Sequence, residues 1–157
     1  MNKQDFKDFM DVLSNFDRAM LVTLRDGQLR SRPMAIGDVT SDSRLRFVTR
    51  DDSAKLDELT ERPQVNVTCQ GDLRFLSISG DARLSKDAQL IDDTWQSKQS
   101  PWFVDDKDDP HVIVIEVIPT YAEYWDRSET GLFSRIFGVL PDDAEKHGEL
   151  DFTREPL

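Results

Sequence analysis

Two short stretches carry the residue types needed to bind an anion. In the first, Arg30-Ser31-Arg32-Pro33-Met34, alternation along an extended strand puts both arginines on one face and Leu29 on the other. In the second, Leu45-Arg46-Phe47-Val48-Thr49-Arg50 runs through Asp51-Asp52 into Ser53-Ala54-Lys55-Leu56-Asp57-Glu58-Leu59, which reads as strand, polar loop and helix. Such a junction presents unpaired backbone N–H groups, a hydroxyl and an ammonium at the positive end of a helix dipole, where an anion is stabilised. Arginines on a neighbouring strand would complete a phosphate pocket through charge-assisted hydrogen bonds. Pro33 lacks an N–H, so its strand runs at an edge or is distorted there, and a ligand can meet exposed backbone beside the arginines.

The surrounding composition sharpens that reading. The chain has 157 residues and a net charge of −11, with 38% hydrophobic and 32% charged residues. That length fits one domain with a single core. The acidic balance argues against nucleic acid and anionic membranes as partners. Arg25, Arg30, Arg32, Arg44, Arg46 and Arg50 nevertheless gather in the first third of the chain. Solvated edges and turns account for Arg25 and Arg44, whereas Arg30 or Arg32 can serve one small anion. No apolar run reaches the roughly 20 residues of a membrane span, and the N-terminus has no basic-then-apolar leader pattern, so a cytoplasmic protein is expected. The single Cys69 excludes an intramolecular disulfide and reads as a small core residue.

The elements that must position these groups follow from periodicity. Phe6, Phe9, Met10, Leu13 and Phe16 recur at helical spacing over 3–17. A buried strand at 19–24 leads through Asp26-Gly27, a strong hairpin signal, into a strand at 28–36. Residues 37–43 read as a turn and 45–49 as a third strand, followed by a helix over 53–62 that Pro63 ends. Strands are expected at 64–70 and 73–84, the latter with a bulge or bend at Gly80. A helix over 86–96 should turn Ala88, Ile91 and Trp95 inward, and an acidic loop spans 97–110. A strand at 112–118 is expected to break at Pro119 before a seventh at 121–125. Residues 1–140 are thus read as one domain and 141–157 as a polar, mobile tail. The pattern predicts a mainly β (α+β) protein, a six- to seven-stranded antiparallel β-barrel with peripheral helices.

Side-chain catalysis finds little support. His111 and His147 have no sequence neighbour that makes a triad or zinc site, and no Walker loop or dinucleotide fingerprint occurs. The cluster of Asp105, Asp106, Asp108 and Asp109 is interrupted by Lys107 and lacks calcium-loop spacing, so no metal site is expected. Redox chemistry on a bound cofactor is easier to build from these residues.

From about 16 to 126 the chain resembles the pyridoxamine 5′-phosphate oxidase-like flavin-binding split barrels, and within them the general stress proteins. The resemblance rests on Arg32-Pro33-Met34-Ala35, on Phe47-Val48-Thr49 through Ser53, Lys55 and Glu58-Leu59, and on Pro63-Gln64-Val65-Asn66-Val67. It continues through Phe75-Leu76-Ser77-Ile78-Ser79-Gly80 to Pro119-Thr120-Tyr121-Ala122-Glu123-Tyr124-Trp125-Asp126. It implies a split barrel with FMN held at the boundary between two subunits of a homodimer. Arg32, Ser53 and Lys55 match phosphate contacts of the family. Pro33, Met34 and Thr49 match positions along the flavin ring and ribityl chain, and Arg50 is counted with them as cofactor-binding. Phe75 stands where true oxidases carry a glutamine to the flavin. Trp125 matches an aromatic position near it, with a barrel-end plug as the equal alternative. Arg135 matches a later flavin-contacting arginine.

Departures from the oxidases bear on activity. Their Arg-Leu-His substrate segment is Gly131-Leu132-Phe133 here, and the substrate pattern around Trp95 is missing. The resemblance therefore implies a flavin-binding general stress protein, an oxidoreductase for an unidentified small molecule with NAD(P)H as candidate donor, and not a vitamin B6 oxidase. A flavin-binding or sensing module without turnover is the alternative, as is a barrel using FAD or a deazaflavin. No catalytic residue is assigned.

Overall fold

The computed structural model describes residues 2–96, 104–128 and 146–153. The hairpin forms where Asp26-Gly27 demands it. Asp26 and Gly27 take φ of 51° and 73°, a two-residue left-handed turn whose twist matches the strands it joins. It links β1 (Arg18–Arg25) to β2 (Gln28–Ala35), with Arg25 opposite Gln28 and Arg18 opposite Ala35. Along β1, Ala19, Leu21 and Thr23 are buried, as the alternation requires.

The remaining strands are β3 (Asp38–Val39), β4 (Leu45–Arg50), β5 (Gln64–Gln70), β6 (Arg74–Ser85), β7 (Val112–Asp126) and β8 (Lys146–Asp151). All pair antiparallel, in the order β2-β1-β5-β6-β7-β4-β3, with β8 also on β7. β6 takes one edge of β7, and β4 and β8 lie end to end along the other. β2 and β4 stand near opposite ends of this order. They are not partners in the sheet, and that break is the split of the barrel.

Three helices complete the described fold: α1 (Lys3–Leu13), α2 (Ala54–Glu61) and α3 (Ala88–Gln96). α1 brings Phe9, Val12 and Leu13 into the main core, where they join Leu21, Phe47, Val67, Ile78, Ile115 and Leu150. Each such fully buried side chain contributes on the order of 1.5–3 kcal/mol relative to exposure. α2 adds Leu56 and Leu59 to the same core. Ile91 of α3 joins a second cluster with Val48, Val104, Val112 and Val114.

Four expectations are corrected. α1 stops at Leu13, not 17, because Ser14 Oγ and Asn15 Nδ2 both donate to the Asp11 carbonyl, at 2.8 and 2.6 Å. Ala88 is exposed on α3 and belongs to no inner face. Pro119 does not break the sheet, since β7 runs through it. The register shifts by a bulge between Ser79 and Gly80, and a Cβ on Gly80 would sit 2.3 Å from the Ile118 oxygen, so only glycine allows the strand to pass. The stretch read as a polar tail contains β8, which buries Leu150 and leads to Phe152, packed edge-on against Phe9 at 6.0 Å. Its alternation is polar outside and has one apolar anchor inside, too weak a signal to read alone. Cys69 lies buried in β5 as expected, and burial pushes its thiol up to about 12.

Candidate functional site

The split between β2 and β4 opens a cleft of about 350 Å³ at the start of α2. β2 contributes Arg32, Pro33 and Met34, the end of β4 contributes Thr49 and Arg50, the loop into α2 contributes Asp52 and Ser53, and the first turn of α2 contributes Lys55. Seven of these lining residues are those singled out in the sequence. Asp52 is the addition.

The position of Arg32 is set by a buried carboxylate. Arg32 sits opposite the buried Leu21 in the hairpin register and so points inward, toward α2. There its Nη2 donates to Glu58 Oε2 at 2.8 Å, and the Thr23 hydroxyl donates to the same oxygen. The Glu58 side chain is 1% exposed, and Arg25 and Arg30 each come within 3.9 Å of its other oxygen. Burial alone would raise the Glu58 carboxyl. The hydrogen bonds from Thr23 and Arg32 and the charges of Arg32 and Arg30 outweigh it and hold the group below its usual range. Arg30, the other arginine of that strand face, does not line the cleft. The sequence signal for Glu58 was its place beside Leu59 in the stretch that carries the family resemblance.

One donor of Arg32 is left over. Its Nη1 is buried and has no hydrogen-bond partner among the described residues. An unpaired buried donor on a cation carries a penalty of several kcal/mol unless something accepts from it. Lys55, half-buried on the same cleft, makes no ion pair among the described residues. Burial and then the Arg32 charge lower its pKa, against weaker attraction from Asp52 and Glu58. The first turn of α2 receives no side-chain cap, because the Ser53 hydroxyl donates instead to the Arg50 carbonyl at 2.9 Å. Ser53 therefore offers its position at the helix start rather than an uncommitted hydroxyl proton.

Arg50 behaves differently. Its guanidinium is bracketed by Asp52, at 2.9 and 3.1 Å, and by Asp109, so its charge is already balanced. The cleft thus joins two under-compensated cations and an uncapped helix end with the carbon surfaces of Pro33 and Met34. That donor set suits a phosphate dianion carrying a flat apolar group.

The family model for pyridoxamine 5′-phosphate oxidase-like proteins matches residues 4–146. The chain belongs to that family. It is similar to General stress protein 26 of Bacillus subtilis, 30% identical over 125 residues that cover 76% of this chain and 87% of that protein. Among solved structures it is similar to a pyridoxamine 5′-phosphate oxidase-related, FMN-binding protein of Nostoc punctiforme (TM-score 0.58, 14% identity, 96% of both chains). It is also similar to an FAD-binding protein of Mycobacterium smegmatis (TM-score 0.58, 16% identity, 75% of this chain and 92% of that one). At those identities the structures show the shared split-barrel fold.

Within this pyridoxamine 5′-phosphate oxidase-like chain the later site residues do not reach the cleft. Phe75 and Trp125 face each other across β6 and β7, strands separated from β2 by β1 and β5, and neither lines the cavity. Trp125 instead stacks on His147 at 5.3 Å and 13°. Arg135, Gly131, Leu132 and Phe133 lie outside the described residues. His111 has a partner that the sequence did not reveal: its Nδ1 is 2.8 Å from Asp51, which also accepts from Lys86. Among the described residues no helix is long and apolar enough to cross a membrane.

Proposed function

We propose that this chain is a flavin-binding general stress protein whose Arg32–Lys55 cleft holds the 5′-phosphate of FMN. The observation that carries this reading is the buried Arg32 Nη1 beside Lys55 at an uncapped helix start, neither having a hydrogen-bond or ion-pair partner of its own among the described residues. A phosphate dianion would accept from all three. Pro33, Met34 and Thr49 would border the flavin ring and ribityl chain. When bound, FMN supplies hydride and single-electron transfer that side chains cannot. The activity we favour is NAD(P)H-dependent reduction of a small molecule, with the vitamin B6 substrate segment replaced by Gly131-Leu132-Phe133.

The cleft lies in an open split, lined among the described residues by β2, the end of β4 and the start of α2. A homodimer with the flavin at the subunit boundary would supply Phe75, Trp125 and Arg135 from a second copy.

A second reading has one observation in its favour. Among the described residues the only carboxylate lining the cleft, Asp52, is held as an anion by its hydrogen bonds from Arg50, so no carboxyl there is poised to donate a proton near neutrality. That favours a binding or sensing module without turnover.

The spectrum of the purified protein and mass spectrometry of the released ligand test the cofactor. FMN is expected; FAD or a deazaflavin would reassign the site's second half, and a protein that binds none of the three would end the flavin reading. Anaerobic addition of NADPH or NADH to the loaded protein separates the two functions. Bleaching of the flavin band at a catalytic rate supports an oxidoreductase, and an unchanged spectrum supports the module. Sedimentation of loaded and unloaded protein over a dilution series tests the dimer, which flavin should stabilise by mass action.

A further inference from the structure

The pairing of β8 with β7 assembles a second cluster away from the cleft. The register sets Glu123 opposite Glu149 and Trp125 opposite His147. Ala122, Tyr124 and Leu150 point into the core, so these four residues project from the outer face of the sheet. His147 Nε2 is 3.0 Å from Glu123 Oε1. One ligand atom from each of Glu123, His147 and Glu149 lies within 4.8 Å of the others.

Two further contacts fix the shape of this cluster. The Trp125 indole stacks on the His147 imidazole, which sets the plane of the ring. The Tyr121 phenol hydrogen-bonds Glu149, which restrains the second carboxylate. Support of this kind around ligands is what keeps a metal site in one geometry.

We propose that Glu123, His147 and Glu149 form a binding site for a first-row divalent transition metal of the Zn²⁺ type, which ties β8 to β7. Tetrahedral ligation at about 2.0–2.2 Å needs ligand atoms about 3.3–3.6 Å apart, an adjustment open to the exposed His147 and Glu149 side chains. One imidazole and two carboxylates leave a fourth position for water. The nitrogen ligand selects against Ca²⁺ and Mg²⁺, which prefer all-oxygen shells. The net charge of −11 favours any cation. None of its three ligands lines the Arg32–Lys55 cleft, although Trp125, which orients His147, is a residue that the proposed dimer would bring to the flavin. No metal was expected from the sequence, because Glu123 becomes a neighbour of His147 and Glu149 only through the strand pairing.

The test is calorimetric titration of ZnCl₂ into the full chain after EDTA treatment and desalting, with thermal denaturation followed in parallel. The expected result is one Zn²⁺ per chain and a higher Tm with Zn²⁺. Binding should weaken about tenfold or more in His147→Ala and in Glu149→Gln. It should be unchanged in His111→Ala, which removes the other histidine of the chain. Should His147→Ala not fold, Glu149→Gln decides, because the glutamine oxygen still accepts from Tyr121. No heat of binding by the native chain would overturn the proposal. So would equal affinity in Glu149→Gln, or a loss in His111→Ala as large as in the β8 variants. Any of these would make the cluster an ordinary cross-strand ion pair.

Discussion

Two arginine clusters sit on opposite sides of the split, and they are wired in opposite ways. Around β4 and β7, Arg46 bonds Glu116 at 2.9 Å and Asp38 at 3.1 Å, while Arg44 bonds Glu116 at 3.3 Å and Asp42 at 2.9 Å. Two cations there meet three carboxylates. Around Glu58 the ratio is reversed: Arg25, which also meets Asp26 at 3.7 Å, converges with Arg30 and Arg32 on one buried carboxylate, Lys55 beside them makes no ion pair among the described residues, and Arg32 keeps an unused buried donor. A saturated network of the first kind holds strands together. An under-compensated one of the second kind has charge left for a ligand. Residue type alone would not tell Arg46 from Arg32; the balance of partners does.

Removing the two central carboxylates should break the comparison most visibly. Glu58→Ala leaves Arg32 and Thr23 without their acceptor and should lower unfolding stability by about 3–5 kcal/mol, as for one partner of a buried ion pair. Glu116→Ala should lose less, because its arginines retain Asp38 and Asp42. Urea denaturation of both variants measures this, and an equal loss would mean that the two clusters are both purely structural.

The next effect concerns ligand rather than fold. Lys55→Ala should weaken FMN by tenfold to a hundredfold, the worth of a charge-assisted hydrogen bond at about 1.5–3 kcal/mol, and barely change riboflavin, which has no phosphate. Arg46→Ala should alter neither. Flavin fluorescence titrations read all four affinities. A parallel loss of FMN and riboflavin in Lys55→Ala would reduce Lys55 to a support for the fold.

A pH series sharpens the role of Glu58. Its carboxyl is depressed in the folded state, so its contribution is fully present above the unfolded value of about 4.3 and is lost as pH falls through the folded value. The stability gap between native protein and Glu58→Gln should therefore be flat from pH 7 to 5 and shrink below about pH 4. A gap that instead shrank above pH 5 would contradict the depressed carboxyl.

The smallest effect is expected at Asp52. Asp52→Asn removes an anion from the cleft and releases part of the Arg50 charge, so FMN affinity should rise about two- to fivefold, in the range of exposed ion pairs. The gain should fade with added salt. Tighter riboflavin binding by the same factor would show that the effect is not electrostatic.

Local chemistry made much of this protein readable. Alternation along 64–70 marked the inward face of β5, and Asp26-Gly27 marked the hairpin, because both depend on neighbours one or two residues away; the apolar run 19–24 read as buried throughout, whereas β1 buries only Ala19, Leu21 and Thr23 and leaves Met20 38% exposed. Pro63 ended α2 for the same reason. Arg32 and Lys55 were legible as an anion site because a strand face and a strand-to-helix junction are local features. The resemblance added Pro33, Met34 and Thr49, and the structure gathers all five in one cleft. Tertiary structure alone decided which arginine keeps a free donor, since Glu58 lies 26 residues from Arg32. It also carried β7 through Pro119, because the tolerance comes from Gly80 on the facing strand. It brought the weakly patterned 146–151 into the sheet by burying Leu150, and it placed Phe75 and Trp125 away from the Arg32–Lys55 cleft of their own chain. Periodicity reports which face a residue takes. It does not report which strand lies opposite, and charge balance in a buried site is settled by what lies opposite.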